Sequence, residues 1–465
     1  MDDERSQVRI LLANAADTAG RFAPPELEQL LAARPVRSRR QPVLLAVASA
    51  AAVVAIAVGL SVSGGSRRPG ADASPMPSST ASSLALPGPT GGVGVTDLQG
   101  YRWRQLPDAP IVPRSNAASA WIGRELLVWG GDVGGKEYRD DGAVYDPATR
   151  SWSELPPAPI SARTRAKSVW VGGRFVVWGG SLDGGASATD GAAYDPTTRR
   201  WTKLPAAPIR GSGSVELVAA HGEAVLLSSG PNSSVLTVAA YDPVEDFWRR
   251  LPELALPSGH VIGWIFGVGA GDTVVAFPAW SQTIRTSASS FSIKSGVAGY
   301  TLDVTHGGWS RTPMRPDKTF DQVIWTGQQI LLLGGGIWCG PCSHPPELVS
   351  QAYSADPHSG RQDQLPTAPT SPETTAYVWT GSALLGVETV KGTTGQATFP
   401  AAGTTAAWNP TTNAWTRLEG SDITGDASGA VLAWTGKELL LWGVAPTGNT
   451  DILQPSGYEL RPPGS

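Results

Sequence analysis

A chain of 465 residues corresponds to about three domains at the usual ~150 residues each, although all-β rings run longer as single units. Its 55 Gly and 39 Pro, beside 18 Trp and only 16% charged residues, disfavour a helical bundle or coiled coil, because Gly and Pro are the poorest helix formers. The formal charge of −4, from 36 basic and 40 acidic residues, leaves no basic excess to neutralise phosphates and argues against nucleic acid as a partner; two cysteines are too few for a disulfide-stapled miniprotein or a four-thiolate zinc site.

In residues 1–42, Val8, Leu11, Leu12 and Ala15 fall at helical spacing. A second stretch opens with Pro24-Pro25 and sets Leu27, Leu30 and Leu31 on one face. Two short amphipathic helices cannot build a core. The segment reads either as a solvated tail or as one that folds on a cytosolic protein partner. Residues 43–62, VLLAVASAAAVVAIAVGLSV, carry no charge. As a helix rising ~1.5 Å per residue they match the ~30 Å hydrocarbon core of a bilayer. The 42 residues before them leave no short n-region of a cleaved signal peptide, so the expectation is a permanent single-pass anchor. Arg34, Arg37, Arg39 and Arg40 precede the run and Arg67 and Arg68 follow it, a bias that keeps the N-terminus cytoplasmic and puts the rest of the chain outside the cell. Residues 63–100 are a Ser/Pro/Gly-rich linker, too poor in large apolar residues to order itself.

From residue 101 the sequence repeats. Trp103-Arg-Gln-Leu-Pro, Trp152-Ser-Glu-Leu-Pro, Trp201-Thr-Lys-Leu-Pro and Trp248-Arg-Arg-Leu-Pro begin 49, 49 and 47 residues apart, and weaker copies lie at Trp309, Gln362 and Trp415. Each copy pairs two apolar strands across a tight turn, as in SAWIGRELLVWGG and SVWVGGRFVVWGG, then adds a loop, a third strand ending in a turn such as Tyr145-Asp146-Pro147, and a fourth carrying the Trp. Four short antiparallel strands per ~50 residues describe one propeller blade.

The paired glycines Gly130-Gly131, Gly179-Gly180 and Gly334-Gly335, the Tyr-Asp-Pro turns and the Trp about six residues beyond that Tyr resemble the kelch repeat. The resemblance covers residues 101–461 and implies an all-β, seven-bladed kelch-like β-propeller. It is sharp in the first two units, clear in the last two and degenerate in the middle three. Unit seven ends at GYEL, 457–460, without a Trp strand, whereas 101–106 supplies an unclaimed one, so the N-terminal strand is expected to complete blade seven. The motif residues themselves are structural: glycines for tight backbone, Trp for the wedge between blades, Asp as a turn cap.

On this strand order, short turns such as Gly123-Arg124 and the Asp-Pro turns share one face. The other carries the long, dissimilar loops 132–141, 181–190, 337–348 and 444–456. A rigid scaffold with varied loops on one face is how binding sites are usually mounted. Arg114 and Arg163 sit at equivalent places on that face, with Arg165 and Arg210 near them. They read either as side chains bonded to neighbouring carbonyls, part of the kelch pattern, or as bidentate donors for a carboxylate, an acidic peptide or a sugar acid. Trp338-Cys339-Gly340-Pro341-Cys342 matches the thioredoxin active-site string, but follows a strand of a blade with no helix to activate a thiolate. Outside the membrane, a Cys339–Cys342 disulfide stapling the loop is the favoured reading; a redox pair, or zinc with His344, stand behind it.

Some kelch-type propellers are copper radical oxidases and others sugar-acid epimerases. Of the five histidines, His221, His306 and His358 fall in short-face turns, leaving His260 and His344, and neither cysteine has a convincing Tyr partner. Glu137, Asp140 and Asp141 share one loop, which usually means a solvated loop rather than an acid/base pair. The expectation is therefore a non-enzymatic module without cofactor or metal, anchored in the membrane, that binds an extracytoplasmic protein or glycan on the long-loop face as a sensor or envelope-interaction protein. The alternative is a carbohydrate-active surface enzyme of the sugar-acid epimerase kind. Seven Lys against 29 Arg, with abundant Ala and Gly, suits a bacterium with a GC-rich genome.

Overall fold

The computed structural model describes residues 98–209, 213–286, 291–314, 320, 322–334, 352–370, 375–388, 404–418, 429–443 and 457–462. The tail, the apolar run 43–62, the linker up to residue 97, Arg210 and the Cys339–Cys342 string lie outside these residues. No helix among the described residues is long and apolar enough to cross a membrane.

Seven antiparallel sheets follow one another along the chain. Blade 1 consists of Ala118–Trp121, Leu126–Trp129, Gly142–Asp146 and Ser151–Glu154, paired in that order. The first strand of every blade touches the first strands of both neighbours, and that of blade 7 meets that of blade 1, so the ring is closed about a central axis. The second strands are apolar on both sides: every residue of Leu126–Trp129, Ile330–Leu333 and Leu439–Trp442 is buried. Each is flanked by strands at both edges and by blades on both faces, which explains why these segments are continuous apolar runs rather than alternating ones. The fourth strands, such as Ser151–Glu154 and Arg200–Lys203, are exposed apart from their half-buried Trp.

That Trp explains the repeat. The ring of Trp152 in blade 1 lies 5.8 Å from Trp442 of blade 7, Trp201 in blade 2 lies 6.0 Å from Trp129 of blade 1, and Trp248 in blade 3 lies 5.1 Å from Trp178 of blade 2. Each indole thus fills the wedge between a fourth strand and the preceding blade's second strand, burying about 150–250 Å². In blades 1, 3 and 6 its N–H donates to the proline carbonyl of the preceding Leu-Pro, Trp152 to Pro107 at 3.0 Å, Trp248 to Pro205 at 3.0 Å and Trp415 to Pro366 at 2.9 Å, whereas the Trp201 N–H makes no such bond. Trp and Leu-Pro in one repeat therefore serve two different seams. The second glycine of the pair is required by close approach: at Gly180, φ +94°, a Cβ would stand 2.6 Å from the Thr164 carbonyl oxygen.

Closure runs as the sequence predicts. Arg102–Gln105 pairs with Gly457–Arg461, Trp103 against Leu460, as the outer strand of blade 7. Leu98 and Tyr101 sink into the blade 6/7 core, and the Tyr101 hydroxyl donates to the Lys437 carbonyl at 3.0 Å. The chain therefore enters the propeller on the short-turn face, at the seam between blades 6 and 7. At the other seam of blade 7, with blade 1, Glu459, fully buried, accepts from the Tyr145 hydroxyl at 3.2 Å, Arg150 Nε at 3.1 Å and Arg461 at 3.3 Å. Burial pushes the neighbouring Glu438 carboxyl above its ordinary pKa, the Arg461 charge opposes this and the Glu459 charge adds to it.

Blade 4 departs from the pattern. Its second strand runs on from Thr273 to Arg285 and turns back through an extra strand, Phe291–Val297, before the third strand, Tyr300–Asp303. A two-stranded arm thereby rises from the long-loop end of the blade. Loop 132–141 also holds a small hairpin, Asp132–Val133 with Glu137–Tyr138.

Candidate functional site

The two faces differ in how completely they satisfy themselves. On the short-turn face, Asp146, Asp195 and Asp242 cap their own turns through Oδ1, each accepting an amide N–H at 2.8 Å, and Asn409 does the same for Thr411 at 2.8 Å. His221 and His306 pair with Asp272 and Asp303, each at 3.0 Å, and His358 sits in the turn capped by Asp356. These are closed turns with little to offer a ligand. Among the described residues no group of three or more His, Cys, Asp or Glu side chains could hold a metal ion.

On the long-loop face, Arg114 and Arg163 are each 1% exposed. Arg114 donates through Nε to the Val112 carbonyl at 2.8 Å and forks onto the Asp141 carboxylate, with NH2 to Oδ2 at 3.1 Å. Arg163 donates to the Ser161 carbonyl at 2.8 Å, the Asp190 carboxylate at 2.8 Å and the carbonyls of Gly179 and Asp190 at 3.2 and 3.3 Å. Asp141 and Asp190 are the last residues of loops 132–141 and 181–190, so each guanidinium staples the foot of a long loop to its blade. Burial pushes both carboxyls up, but the hydrogen bonds and charges of Arg114 and Arg163 outweigh it and hold them below the ordinary carboxylate range. Among the four arginines, these two are buried and neutralised within the blade, and Arg210 lies outside the described residues.

Arg165 is different. It is exposed, and its side chain makes no hydrogen bond or ion pair among the described residues. It occupies the left-handed region at φ 57°, as does Asn116 at 58° one blade earlier and Gly429 at 73° one blade before that. A backbone ladder joins the three: Arg165 N–H donates to Asn116 O at 3.0 Å, and Asn116 N–H to Gly429 O at 2.8 Å. Each position lies just before an innermost strand, so the ladder curves round the mouth of the axis. Gly and Asn tolerate this conformation; an Arg there costs about 1–3 kcal/mol unless the surroundings hold it. Arg150 and Arg199 are also left-handed, but Arg150 bonds Glu459 and Arg199 interacts with Tyr194.

Beneath the ladder, Asp132, 5% exposed, accepts from Asn116 Nδ2 at 2.8 Å, Gly135 N–H at 2.9 Å and the Thr164 hydroxyl. Lys167 and Glu216 form a 2.9 Å ion pair between the innermost strands of blades 2 and 3. Trp264, on the innermost strand of blade 4, is 54% exposed on the same face. Asn116, Asp132, the Lys167–Glu216 pair and Trp264 carry no local motif. Only the 49-residue spacing of Asn116 and Arg165 marks equivalent positions in the sequence.

Residues 89–260 match the family model described as the KLHDC2/KLHL20/DRC7 Kelch-repeats domain. The chain is also similar to a solved structure titled "Structure of YjhT", at 16% identity over 68% of this chain and 99% of that one, with a TM-score of 0.44. No curated protein matches the chain.

Proposed function

The ring is a kelch-repeat propeller, a kind of domain that generally serves as a protein-binding scaffold, and from that premise we propose that this one is the ligand-binding head of a membrane-anchored protein. In this reading residues 43–62 are the anchor, residues 1–42 lie in the cytoplasm, and the long-loop face takes an extracytoplasmic protein or glycan without chemistry on it. The observation that carries the binding role is Arg165: an exposed guanidinium with no partner among the described residues, kept at a left-handed position where its counterparts in blades 1 and 7 are Asn and Gly, at the mouth of the axis. A forked donor so placed suits a carboxylate on a peptide or sugar acid. Arg114 and Arg163 support the site by holding the feet of the loops beside it. Among the described residues the entering segment, from Leu98, reaches its strand from the opposite face.

The test is an array of envelope glycans and peptides probed with the full chain and with Arg165→Gly. Glycine fits the left-handed backbone, so the variant is expected to melt at or slightly above the parent temperature while losing about tenfold or more in affinity for an acidic ligand. Undiminished binding by the variant would remove Arg165 from the site. Anchoring is tested separately: deletion of 43–62 should release the chain from membranes at alkaline pH, and a deletion variant that stays membrane-bound would refute it.

A further inference from the structure

The arm of blade 4 supplies a surface that neither the kelch pattern nor the axial site accounts for. Its register decides which side chains share a face. Trp264 stands opposite Ala279, which stands opposite Val297; Thr283 faces Ile293, and Arg285 faces Phe291. Directly opposed residues of antiparallel strands point to the same side. Trp264, Val297, Ile293, Phe291 and Arg285 therefore line one face from the base of the arm towards its tip. Lower down, the same face supplies Phe266 and Phe277 to the core between blades 4 and 5, where both pack on Phe320 with centroids 5.1 Å away. The stripe is thus a continuation of a blade interface above the level of the ring.

There it is open. Phe291 is 63% and Trp264 54% exposed, the two most exposed aromatic side chains among the described residues. The Arg285 guanidinium lies 5.8 Å from the centre of the Phe291 ring, a cation held on an aromatic face. Charge gives the occupant its sign. From Thr273 to Leu302 the only ionisable side chains of either charge are Arg285 and Lys294, apart from Tyr300, in a chain whose net charge is −4. Aromatic anchors with an arginine among them are the composition of interface centres rather than of solvated surface.

We infer that the face of the arm carrying Trp264, Ile293, Phe291 and Arg285 is a docking surface for an acidic segment of a partner protein that also bears apolar side chains. The inference rests on the reading of the long-loop face as the binding face, and names the chemistry of a partner there. Trp264 and Phe291 take the apolar side chains and Arg285 takes the carboxylates; Lys294, opposite Gln282, lies on the other face of the ribbon and adds only longer-range positive charge.

The experiment uses the full chain in detergent and two fluorescein-labelled decapeptides, one alternating Glu and Val, the other Lys and Val, read by anisotropy. The Glu peptide is expected to bind about tenfold or more tightly than the Lys peptide and to weaken in high salt. Arg285→Glu/Lys294→Glu is expected to invert the preference, and Trp264→Ser to weaken binding to the Glu peptide about tenfold. Phe247→Ser, at an exposed aromatic on an outer strand of blade 3, should change nothing, and equal melting temperatures establish that the variants are folded. Binding of neither peptide, equal binding of both, or a preference that survives charge reversal overturns the inference. So does self-association that the arm variants abolish, competition by a peptide of residues 335–351, or binding to anionic phosphatidylglycerol vesicles in place of the Glu peptide. If Arg165→Gly abolishes Glu-peptide binding while the arm variants do not, the axial site stands and the arm falls.

Discussion

Replacing Arg163 by Ala separates a loop staple from a ligand donor. The side chain is 1% exposed and makes four hydrogen bonds, three to carbonyls and one to the Asp190 carboxylate. Breaking a buried ion pair by removing one partner costs about 3–5 kcal/mol, because the other charge is left uncompensated. Here the side chain of Asp190 is 36% exposed and keeps Lys203 at 3.4 Å, so solvent and a second cation reduce the penalty. With the carbonyls that also lose a donor, the net loss is about 2–3 kcal/mol. At about 2 °C per kcal/mol for a domain of this size, the melting temperature should fall by about 4–6 °C. Arg163→Lys should recover only part of this, since an ammonium cannot reproduce the fork. The pH dependence has a definite sign. The folded-state pKa of Asp190 is depressed, so its contribution is present above the unfolded pKa of about 4 and fades as pH falls through the lower folded value. The gap between parent and variant melting curves, followed by tryptophan fluorescence, should therefore be wider at pH 7 than at pH 3. An Arg163→Ala protein that melts with the parent yet loses ligand would refute the staple and return Arg163 to the binding site.

Three further outcomes follow from the same geometry. Glu438 has a raised folded pKa, so its charged form opposes folding and its contribution is lost as pH rises through that value; Glu438→Gln should melt at or about 1–2 °C above the parent at pH 7, whereas Glu459→Gln, weakening three donors' contacts, should melt lower. Starting the propeller at residue 107 removes the strand Arg102–Gln105 and leaves the edge of Gly457–Arg461 open, so size-exclusion chromatography should show aggregation, and a monomer of parental stability would contradict the closure. Gly180→Ala should cost about 2 kcal/mol or more by denaturant titration, since its Cβ would lie 2.6 Å from the Thr164 oxygen and 2.9 Å from Ala166 N at φ +94°.

The sequence by itself determined the ring: the number of blades, the role of the Trp wedge, the Asp caps and the strand that closes blade 7. These are repeated local patterns, and a feature that recurs every ~50 residues declares its place once the unit is recognised. It also singled out Arg114, Arg163 and Arg165 as equivalent or adjacent positions, but not their separate fates. Arg114 and Arg163 each find a carboxylate 27 residues downstream, at the end of a ten-residue loop in both blades, whereas Arg165 has Ala192 at that distance; the equal spacing is legible in the sequence, but only the folded blade shows that it brings each guanidinium onto its Asp. Arg165 is left open because the ladder through Asn116 and Gly429 uses its backbone and turns its side chain out, which only the assembled ring reveals. The arm of blade 4 is the other tertiary decision. Pro278, lacking an N–H, sits opposite Ile265 inside a strand of thirteen residues where a proline ordinarily argues for a break. The stretch that hid the repeat in the middle of the chain is the one that extends the sheet beyond it, because its pairing is set by the partner strand Phe291–Val297 rather than by the local signal.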